Sequence, residues 1–438
     1  MKEANIFQMI LLGVFGFFII LAVLGFSGFV PGFGGKQDKD RFLGNVIVWG
    51  TLPARTMTET IGDMYGSEKT VSITYIEKRK STFDRDLVEA LASGSGPDII
   101  LLPQDLILRH ADKVYAIPYE TLSQRDFKNR FIEEGELYLS EEGVLALPFI
   151  IDPMVMYWNR DSFSSAGLSS PPAFWDEFFT IAPLLTSKDR ESNIIKSALS
   201  FGEFRNVLHA KDIISMLIMQ AGNPIVVKSP MKKSGVATTL DESFNYEVLP
   251  TNAAVRFFTE FSNPVKTSYS WNRSLQFSQD MFVSGDLAVY LGYASELSLL
   301  QRKNPHLNFD VAEVPQSRGG GKKITFGRMQ GLAILKASPN IPASFRAVSL
   351  LSDAEFISLI SGAINLPPVR RDLLSKKPTD SYLPLFYDAA LVSRAWLDPS
   401  PELTDTIFRE MIERVVSGRS KVYDAVSTAD VELERLLK

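Results

Sequence analysis

The sequence predicts an α/β fold built around parallel β-strands, with one apolar segment at its N-terminus. Strand-like and helix-like patterns alternate along the chain from Val46 onward, which is typical of βαβ units. Of the 438 residues, 45% are hydrophobic and 22% are charged, so the chain can bury a sizeable core in two or three domains. The N-terminus stands apart, because no charged residue occurs between Ala4 and Gly35.

The composition disfavours several classes of function. A net charge of -5 argues against nucleic-acid binding, which needs a basic face to displace counterions. The absence of cysteine excludes disulfides, thiolate metal sites, cysteine nucleophiles and a lipid on an N-terminal cysteine. The three histidines, His110, His209 and His306, are far apart and lack metal-ligand spacing, so we interpret each as a surface or satisfied residue. The sequence therefore predicts no cofactor, no metal site and no catalytic residue.

The apolar stretch at residues 6–30 is long enough to cross a membrane. A helix rises about 1.5 Å per residue, so about 20 residues span a bilayer core of roughly 30 Å. A cleavable signal peptide has a shorter apolar region and a small-residue cleavage site. We therefore interpret residues 1–35 as an uncleaved transmembrane anchor, with a cleaved signal as the alternative, and residues 36–44 as a linker. The flanking lysines and arginines do not fix the orientation of this segment.

The sequence of the first part of the body, from residue 46 to residue 102, predicts a strand, a helix, a strand, a helix and a strand in this order. The first strand ends at Trp49 and is followed by Gly50, a turn residue. Ser81, with Asp84 three residues later, has the spacing of a capping box at the start of the second helix. The predicted strands are residues 46–49, 71–76 and 98–102, and the predicted helices are residues 56–65 and the stretch from Ser81 to the glycines at 94 and 96.

The alternation continues in a second region, where Asp152 falls between two apolar strand-like stretches at residues 143–151 and 154–158. Residues 226–246 are polar and irregular, which indicates a surface excursion. In open parallel sheets, ligands bind beyond the carboxyl ends of the strands, so the loops after residues 49, 102 and 291 are candidate binding loops. Further predicted helices are residues 175–185, 212–220, 251–261, 275–283 and 294–302, and further predicted strands are residues 287–291, 309–314 and 331–335.

Four sequence segments carry a resemblance to a known family. The first is VIVWG at residues 46–50, and the second is LVEALASGSGPDII at residues 87–100, a helix, a glycine turn and a Pro-Asp strand. The third comprises YWNRD at 157–161, AGL at 166–168 and PPAFWDEF at 171–178, and the fourth is FVSGDLAV at 282–289. In this order they resemble the family 1 extracellular solute-binding proteins, the group that contains maltose-binding protein. Trp158 and Phe174 depart from the Tyr and Thr usual in that family.

The resemblance covers nearly the whole body and implies a two-lobed, periplasmic-binding-protein-like (type II) fold with hinge strands. Lobe I would comprise residues 44–150 and 318–366, and lobe II residues 152–314 and 370–438. Ligand binding would close the lobes by hinge motion. The resemblance also implies a single-pass protein of the cell membrane with an extracytoplasmic body. It would be a non-enzymatic partner of ABC transporter permease subunits that captures a small ligand, a sugar or oligosaccharide.

A sugar-binding cleft needs aromatic faces for the apolar sides of pyranose rings and polar groups that satisfy the hydroxyls. The resemblance implies ligand contacts at strand ends, near the hinge and at aromatic positions. The candidate contacts are Trp49, Thr51, Gln104, Asp105, Asp152, Trp271, Tyr293, Arg328 and Trp396.

Several of these residues also have a purely structural interpretation. Trp49 could equally belong to the core, and Asp105 could cap the helix that follows it. Asp152 could form a structural ion pair, and Arg328 could be solvated. Trp175, in its Pro-Pro-x-x-Trp-x-Glu setting, is predicted to pack at a helix start instead of touching ligand.

Two other functions remain open from the sequence. A carbohydrate-active hydrolase would need a pair of carboxylates at a defined separation, which a sequence does not give. A membrane-tethered sensor or assembly subunit would keep the two-lobed fold without feeding a permease. For the ligand, a neutral sugar is favoured over a phosphate, because the sequence shows no evident cluster of arginines or lysines in the predicted pocket.

Overall fold

The computed structural model describes residues 42–232, 235–319 and 321–438. The predicted transmembrane anchor and all but the end of the predicted linker lie outside the described residues. Within the described ranges, no single helix is long and apolar enough to span a membrane. Two consecutive helices, Ile341–Leu351 and Ala354–Ile364, pass the same test together by length and composition, and they are bent by 63° relative to each other.

Both lobes contain β-strands, and β-strands also connect the two lobes. The strands are β1 (Gly44–Gly50), β2 (Val71–Glu77), β3 (Ile99–Pro103), β4 (Leu147–Asn159), β5 (Ser187–Lys188), β6 (Ile194–Leu199), β7 (Val226–Lys228), β8 (Val236–Thr238), β9 (Leu287–Tyr293), β10 (Phe309–Ala312), β11 (Thr325–Ile334) and β12 (Ser393–Arg394).

The helices cover the sheets and shape the space between the lobes. They are α1 (Ala54–Tyr65), α2 (Phe83–Ala92), α3 (Ile107–His110), α4 (Gln124–Arg130), α5 (Arg160–Ser165), α6 (Phe178–Leu185), α7 (Ala210–Gln220), α8 (Pro250–Glu260), α9 (Ser278–Ser284), α10 (Leu297–Lys303), α11 (Ile341–Leu351), α12 (Ala354–Ile364), α13 (Arg371–Leu374), α14 (Leu383–Val392), α15 (Pro401–Val416) and α16 (Val422–Leu436). Short 3₁₀ turns lie at Gln104–Leu106, Ala111–Lys113, Glu133–Tyr138, Trp175–Glu177 and Ala294–Glu296.

The first lobe contains the predicted parallel sheet. Strand β1 lies between β2 and β3 and is parallel to both, which confirms the predicted βαβ arrangement. In β3 the apolar run Ile99–Leu102 is fully buried, as expected for a strand covered on both faces. The capping prediction at Ser81 is wrong, because α2 begins at Phe83 and the preceding Thr82 donates its hydroxyl to the Asp86 carboxylate at 2.9 Å.

Strand β4 belongs to both lobes. Its first half pairs with β11, and its second half, from Met154, pairs with β9 and β10. The sequence predicts two strands separated at Asp152, but the structure has one continuous strand of 13 residues through Asp152 and Pro153. Because its backbone is hydrogen-bonded in both sheets, β4 is the covalent and hydrogen-bonded link between the lobes. The exact lobe limits given above stay a prediction.

The second lobe is built on β9, β6 and β5 and on an aromatic core. Trp175 is 4% exposed, packs against Phe178 and Phe201, and donates its indole N–H to Gln220 at 2.5 Å. The predicted packing role of Trp175 is therefore confirmed. Strands β7 and β8 pair as a hairpin within the stretch predicted to be an irregular surface excursion.

Candidate functional site in the cleft between the lobes

A cavity of about 570 Å³ lies between the lobes. Its wall takes residues from the turn after β3, from β11, from the segment leading into α7, and from the region around the start of α15. A smaller cavity of about 320 Å³ adjoins it. We call the two the main cavity and the side cavity, and they form one cleft because they share Lys80, Gln104, Asp105, Arg328 and Pro401.

Arg328 and Asp212 form an ion pair in the wall of the main cavity. Arg328 lies on β11 directly opposite Asp152 of β4, so its backbone is close to the point where β4 passes between the lobes. Its guanidinium donates to Asp212 Oδ2 at 2.6 Å and lies over the ring of Tyr293 at 4.1 Å. The Tyr293 hydroxyl donates to the same carboxylate oxygen at 2.6 Å. This pair therefore joins the crossing strands to α7 of the second lobe.

The charge state of Asp212 follows from these partners. Burial alone would raise the pKa of Asp212, but the charges of Arg328 and Lys211 and the Tyr293 hydrogen bond outweigh burial and hold the pKa below its usual value. Asp212 also lies in the first turn of α7, where the helix dipole favours a negative charge. We therefore expect Asp212 to be ionised at neutral pH.

His209, which lines the main cavity, and Glu296, which lies behind it, extend this network. His209 Nε2 lies 2.7 Å from Glu296 Oε1, and the Arg328 guanidinium lies 3.4 Å from His209 Nδ1. Glu296 also accepts hydrogen bonds from the Tyr290 hydroxyl at 2.6 Å and the Tyr293 amide at 2.9 Å. Burial tends to raise the pKa of Glu296, and these donors reverse the effect and lower it. The resulting chain of hydrogen bonds fixes the Arg328 side chain from behind.

A second ion pair joins α7 to the start of α15. Lys211 donates to Asp398 at 2.8 Å and to the Thr404 hydroxyl at 3.2 Å. Burial alone would lower the pKa of Lys211, but the Asp398 and Asp212 carboxylates outweigh it and raise the pKa. Both charged groups at the start of α7, Lys211 and Asp212, are therefore held in fixed positions facing the cleft.

Three charged side chains of the main cavity, Asp105, Lys80 and Asp405, have no hydrogen bond or ion pair among the described residues. Asp105 and Lys80 line both the main and the side cavity. Burial raises the pKa of Asp105, and the nearby Lys211, Arg328 and Lys80 partly oppose this effect. Asp105 lies inside a 3₁₀ turn whose cap position is Pro103, so Asp105 is not a helix cap. These two groups can therefore hydrogen-bond to a ligand without breaking a contact within the protein.

Apolar faces complete the wall. Phe204, Phe326 and Trp396 are buried in it, and Trp396 stacks on Phe408 and donates its indole N–H to Ser215 at 3.1 Å. Phe277 differs, because it lines the main cavity and is 56% exposed. An exposed aromatic ring next to polar groups is suited to stack on the apolar face of a ligand.

The structure brings five of the nine candidate residues together in the cleft. Gln104, Asp105, Arg328 and Trp396 line the main cavity, and Thr51 lines the side cavity. Gln104 is buried and accepts the Met329 amide at 2.9 Å, so part of its side chain holds β11 in place.

The other four candidates lie outside the walls of both cavities, and ligand contact by these residues stays a prediction. Trp49 is 8% exposed, with Lys78 Nζ 3.5 Å from its ring centroid, and Trp271 is fully buried and donates to Asn206. Tyr293 is fully enclosed and positions Asp212 and Arg328. Asp152 accepts two hydrogen bonds from Ser295, at 3.0 and 2.6 Å, and so anchors the loop after β9.

Sequence reasoning missed the residues at the start of α7. His209, Lys211 and Asp212 all line the main cavity, although His209 was interpreted as a surface or satisfied residue. The available signal was a run of polar residues at the start of a helix that is otherwise apolar. The expectation that the pocket has no cluster of basic residues is also wrong. The basic residues that line the main cavity are Lys80, Arg205, Lys211, Arg328 and Arg409.

The described residues contain no group of three or more His, Cys, Asp or Glu side chains that could hold a metal ion. The polar groups of the cleft are instead mixed in charge, and most of them are already paired. Such a wall offers both donors and acceptors, which suits a ligand rich in hydroxyl groups.

Comparison with known proteins identifies the family. The pattern described as bacterial extracellular solute-binding protein matches residues 67–355, well over half of the chain. The chain belongs to this family. A binding protein of Brucella abortus (strain 2308) is 19% identical over 294 residues, which are 65% of this chain and 66% of the relative's length.

Solved structures of sugar-binding proteins share the fold of this chain. A cyclic α-maltosyl-1,6-maltose-binding protein of Arthrobacter globiformis superposes with a TM-score of 0.73 at 15% identity, over 90% of this chain and 99% of the other. A cyclo/maltodextrin-binding protein in complex with maltotetraose gives a TM-score of 0.71 at 14% identity, over 90% and 97% of the two chains. The two-lobed α/β fold of this solute-binding protein is therefore confirmed.

Replacing Asp212 with Asn should destabilise the protein by about 2–3 kcal/mol at pH 7, because Arg328 and Tyr293 lose an ionised acceptor. A depressed carboxyl pKa contributes stability above the ordinary value of 3.8, and this contribution is lost as the pH falls through the lower value in the folded state. The difference between wild type and Asp212→Asn should therefore shrink below about pH 4. Urea denaturation at pH 7 and pH 3 measures both effects.

Asp63→Asn is the control for this substitution, because Asp63 is exposed on α1. It should leave the free energy of unfolding unchanged at both pH values. Equal stability of the Asp212→Asn and Asp63→Asn variants at pH 7 would contradict the structural role of the Arg328–Asp212 pair.

Proposed function

We propose that this solute-binding protein captures a carbohydrate, most simply a neutral oligosaccharide, in the cleft between its lobes. The observation that carries the proposal is the mixed wall of the main cavity. Asp105, Lys80 and Asp405 line it without a protein partner among the described residues, and Phe277 presents an exposed ring to the same cavity. Hydroxyl groups need both donors and acceptors when they are buried, and the apolar face of a pyranose ring needs a flat partner.

The related structures support a sugar over other solutes. The two neighbours described above bind maltodextrin-type ligands, one of them seen with maltotetraose. The basic residues of the cleft do not by themselves favour an anionic ligand. Arg205 is paired with Glu413, Lys211 with Asp398 and Arg328 with Asp212. Lys80 and Arg409 have no ion pair among the described residues, but they line the same cavity as the carboxyl groups of Asp105 and Asp405.

The remaining parts of the proposal concern delivery. We propose that ligand closes the cleft by rotation of the lobes about the crossing strands, with ligand contacts to both lobes supplying the free energy. The closed form would then be recognised by the permease subunits of an ABC importer. The body would lie on the extracytoplasmic side of the cell membrane, held by the N-terminal apolar segment, and would bind its ligand without converting it.

The ligand proposal predicts that an oligosaccharide raises the melting temperature of the purified protein. A panel that begins with maltotetraose should include at least one sugar that raises it by about 2–5 °C at a concentration near 100 times its Kd, because only the folded state binds. Asp105→Asn should diminish this rise, since it replaces an unpartnered carboxyl group of the cleft wall with an amide that has only one acceptor oxygen. Asp63→Asn should keep it. A panel with no stabilising sugar, or an undiminished rise in Asp105→Asn, would refute the proposed ligand class or the proposed contact, respectively.

Phe277 allows an independent test of whether an aromatic ring of the cleft stacks on the ligand. Phe277→Ala should weaken binding of the same sugar by about threefold to tenfold, which corresponds to a stacking contribution of about 0.5–1.5 kcal/mol. Because the ring is exposed, the melting temperature without ligand should stay close to that of wild type. Isothermal titration calorimetry measures the affinity, and Tyr423→Ala, an exposed aromatic on α16, is the matched control. An unchanged affinity in Phe277→Ala would show that this ring does not touch the ligand.

A further inference from the structure

Glu134 is a buried carboxyl at the junction of the segments that connect the lobes. It lies in the 3₁₀ turn Glu133–Tyr138 and is 2% exposed. A Cβ atom added to Gly327 would lie 2.2 Å from Glu134 Oε2 and 2.9 Å from both the Ile151 and Ser393 side chains. Glu134 therefore lies against Gly327 of β11, and the side chains of Ile151 of β4 and Ser393 of β12 pack beside the same glycine.

The position of Gly327 marks the hinge itself. Gly327 lies opposite Pro153 of β4, and the next residue of β4, Met154, pairs with Tyr293 of the second lobe. Side chains alternate along a strand, and Phe326 and Arg328 line the main cavity. Gly327 therefore faces the opposite side of β11, and Glu134 occupies the back of the hinge, away from the cleft.

The Glu134 carboxyl has no hydrogen-bond partner among the described residues. Both of its oxygens are buried and unpaired. Arg394, the nearest cation, donates instead to Glu133 and to the Ser393 carbonyl. The Tyr138 hydroxyl of the same turn donates to the Leu102 carbonyl at 2.7 Å. The β11 residue next to Glu134 is Gly327, and the β4 residue packed beside that glycine is Ile151; neither of them titrates.

A further cavity, of about 550 Å³, adjoins this carboxyl on the back of the hinge. Lys228, the last residue of β7 in the second lobe's hairpin, lines this cavity and donates to the Leu139 carbonyl at 2.5 Å, and Arg394 donates to Glu133. The other charged groups that line it are Lys128, which pairs with Glu136 at 2.7 Å, and Glu141. The contacts around Glu134 therefore join parts of the chain that rotate relative to one another when a two-lobed protein opens or closes.

We propose that Glu134 couples rotation of the lobes to protonation: the conformation described here holds Glu134 as a neutral acid, and rotation at the hinge hydrates it and lets it ionise. This inference rests on the lobe rotation proposed above and not on the identity of the ligand. An ionised carboxylate without a partner is strongly disfavoured in a buried site, whereas the neutral acid is tolerated.

The direction of the effect follows from the burial of Glu134. Burial raises the pKa of Glu134 from 4.5 to about 8, and Arg394 opposes this only partly. In a conformation that hydrates the group, the pKa returns toward 4.5. The ratio of the buried to the hydrated conformation is therefore highest below about pH 4.5. Between about pH 4.5 and about pH 8, this ratio falls by up to about tenfold per pH unit.

The distance between the lobes at different pH values tests the proposal without any sugar. The chain has no cysteine, so fluorophores placed on Lys69→Cys in the first lobe and Val265→Cys in the second label only those two exposed positions. Single-molecule energy transfer from pH 5 to pH 9 should show the wild-type protein passing from one distance population to another. Glu134→Gln, which mimics the neutral acid, should retain the low-pH population throughout.

Two further variants make the result decisive. Glu141→Gln removes an exposed carboxyl from the same cavity and should shift with pH as wild type does. Glu134→Met, an uncharged side chain of similar length, should match Glu134→Gln and serves if that variant does not fold. The proposal would be overturned if the distance between the lobes shifted with pH in the Glu134 variants as it does in wild type. It would also be overturned if this distance did not change in wild type between pH 5 and pH 9. A negative sugar-binding screen would leave this result unaffected.

Discussion

The backbone pairing of β4 is the constraint on which the rest of this structure depends. One strand of 13 residues is hydrogen-bonded to β11 in the first lobe and to β9 and β10 in the second. Backbone donors and acceptors must be paired when buried, so β4 cannot leave either sheet without a large loss of stability. The pairing of β4 thus holds the lobes together at this crossing, while the surfaces on either side of it remain separate.

The cleft and the back of the hinge follow from this arrangement. Residues on one face of β11 near the crossing point, Phe326 and Arg328, line the main cavity, while Gly327 between them faces Glu134. On the cleft side, the charge carried by this part of β11 is paired, because Arg328 is held by Asp212. On the back, the carboxyl has no partner in the described part of the chain. A movement at this strand would therefore change the surroundings of both faces at once.

The elements that could be predicted from the sequence are those whose burial is a local property. The apolar run of β3, the alternation around β1 and β2, and the glycine turn after α2 all indicate their structure within a few residues, and the resemblance to the family supplied the two-lobed arrangement. The sequence predicts two strands where the structure has the single strand β4, because Asp152 and Pro153 lie in its middle and a carboxylate or a proline usually interrupts a strand. Here two hydrogen bonds from Ser295, more than 140 residues away in the chain, satisfy that carboxylate.

The candidate site was predicted less completely, for the same reason. Gln104 and Asp105 could be located because they follow the carboxyl end of a predicted strand. Lys211 and Asp212 could not, since their position in the cleft depends on how α7 packs beside β11 and α15. Trp271 and Tyr293 were predicted as ligand contacts because the resemblance implies stacking aromatics in these regions, but the sequence does not distinguish an aromatic in a cleft wall from one in the core. Both are core residues that hydrogen-bond to buried partners.

The most direct test of closure about β4 is small-angle X-ray scattering of the purified protein. The measurement is made with and without a saturating sugar whose binding has been established by calorimetry. Closure of two lobes about β4 predicts that the radius of gyration decreases when the sugar is bound. A radius of gyration that stays the same with the cleft occupied would contradict the account, because it would mean that ligand binds without moving one lobe toward the other.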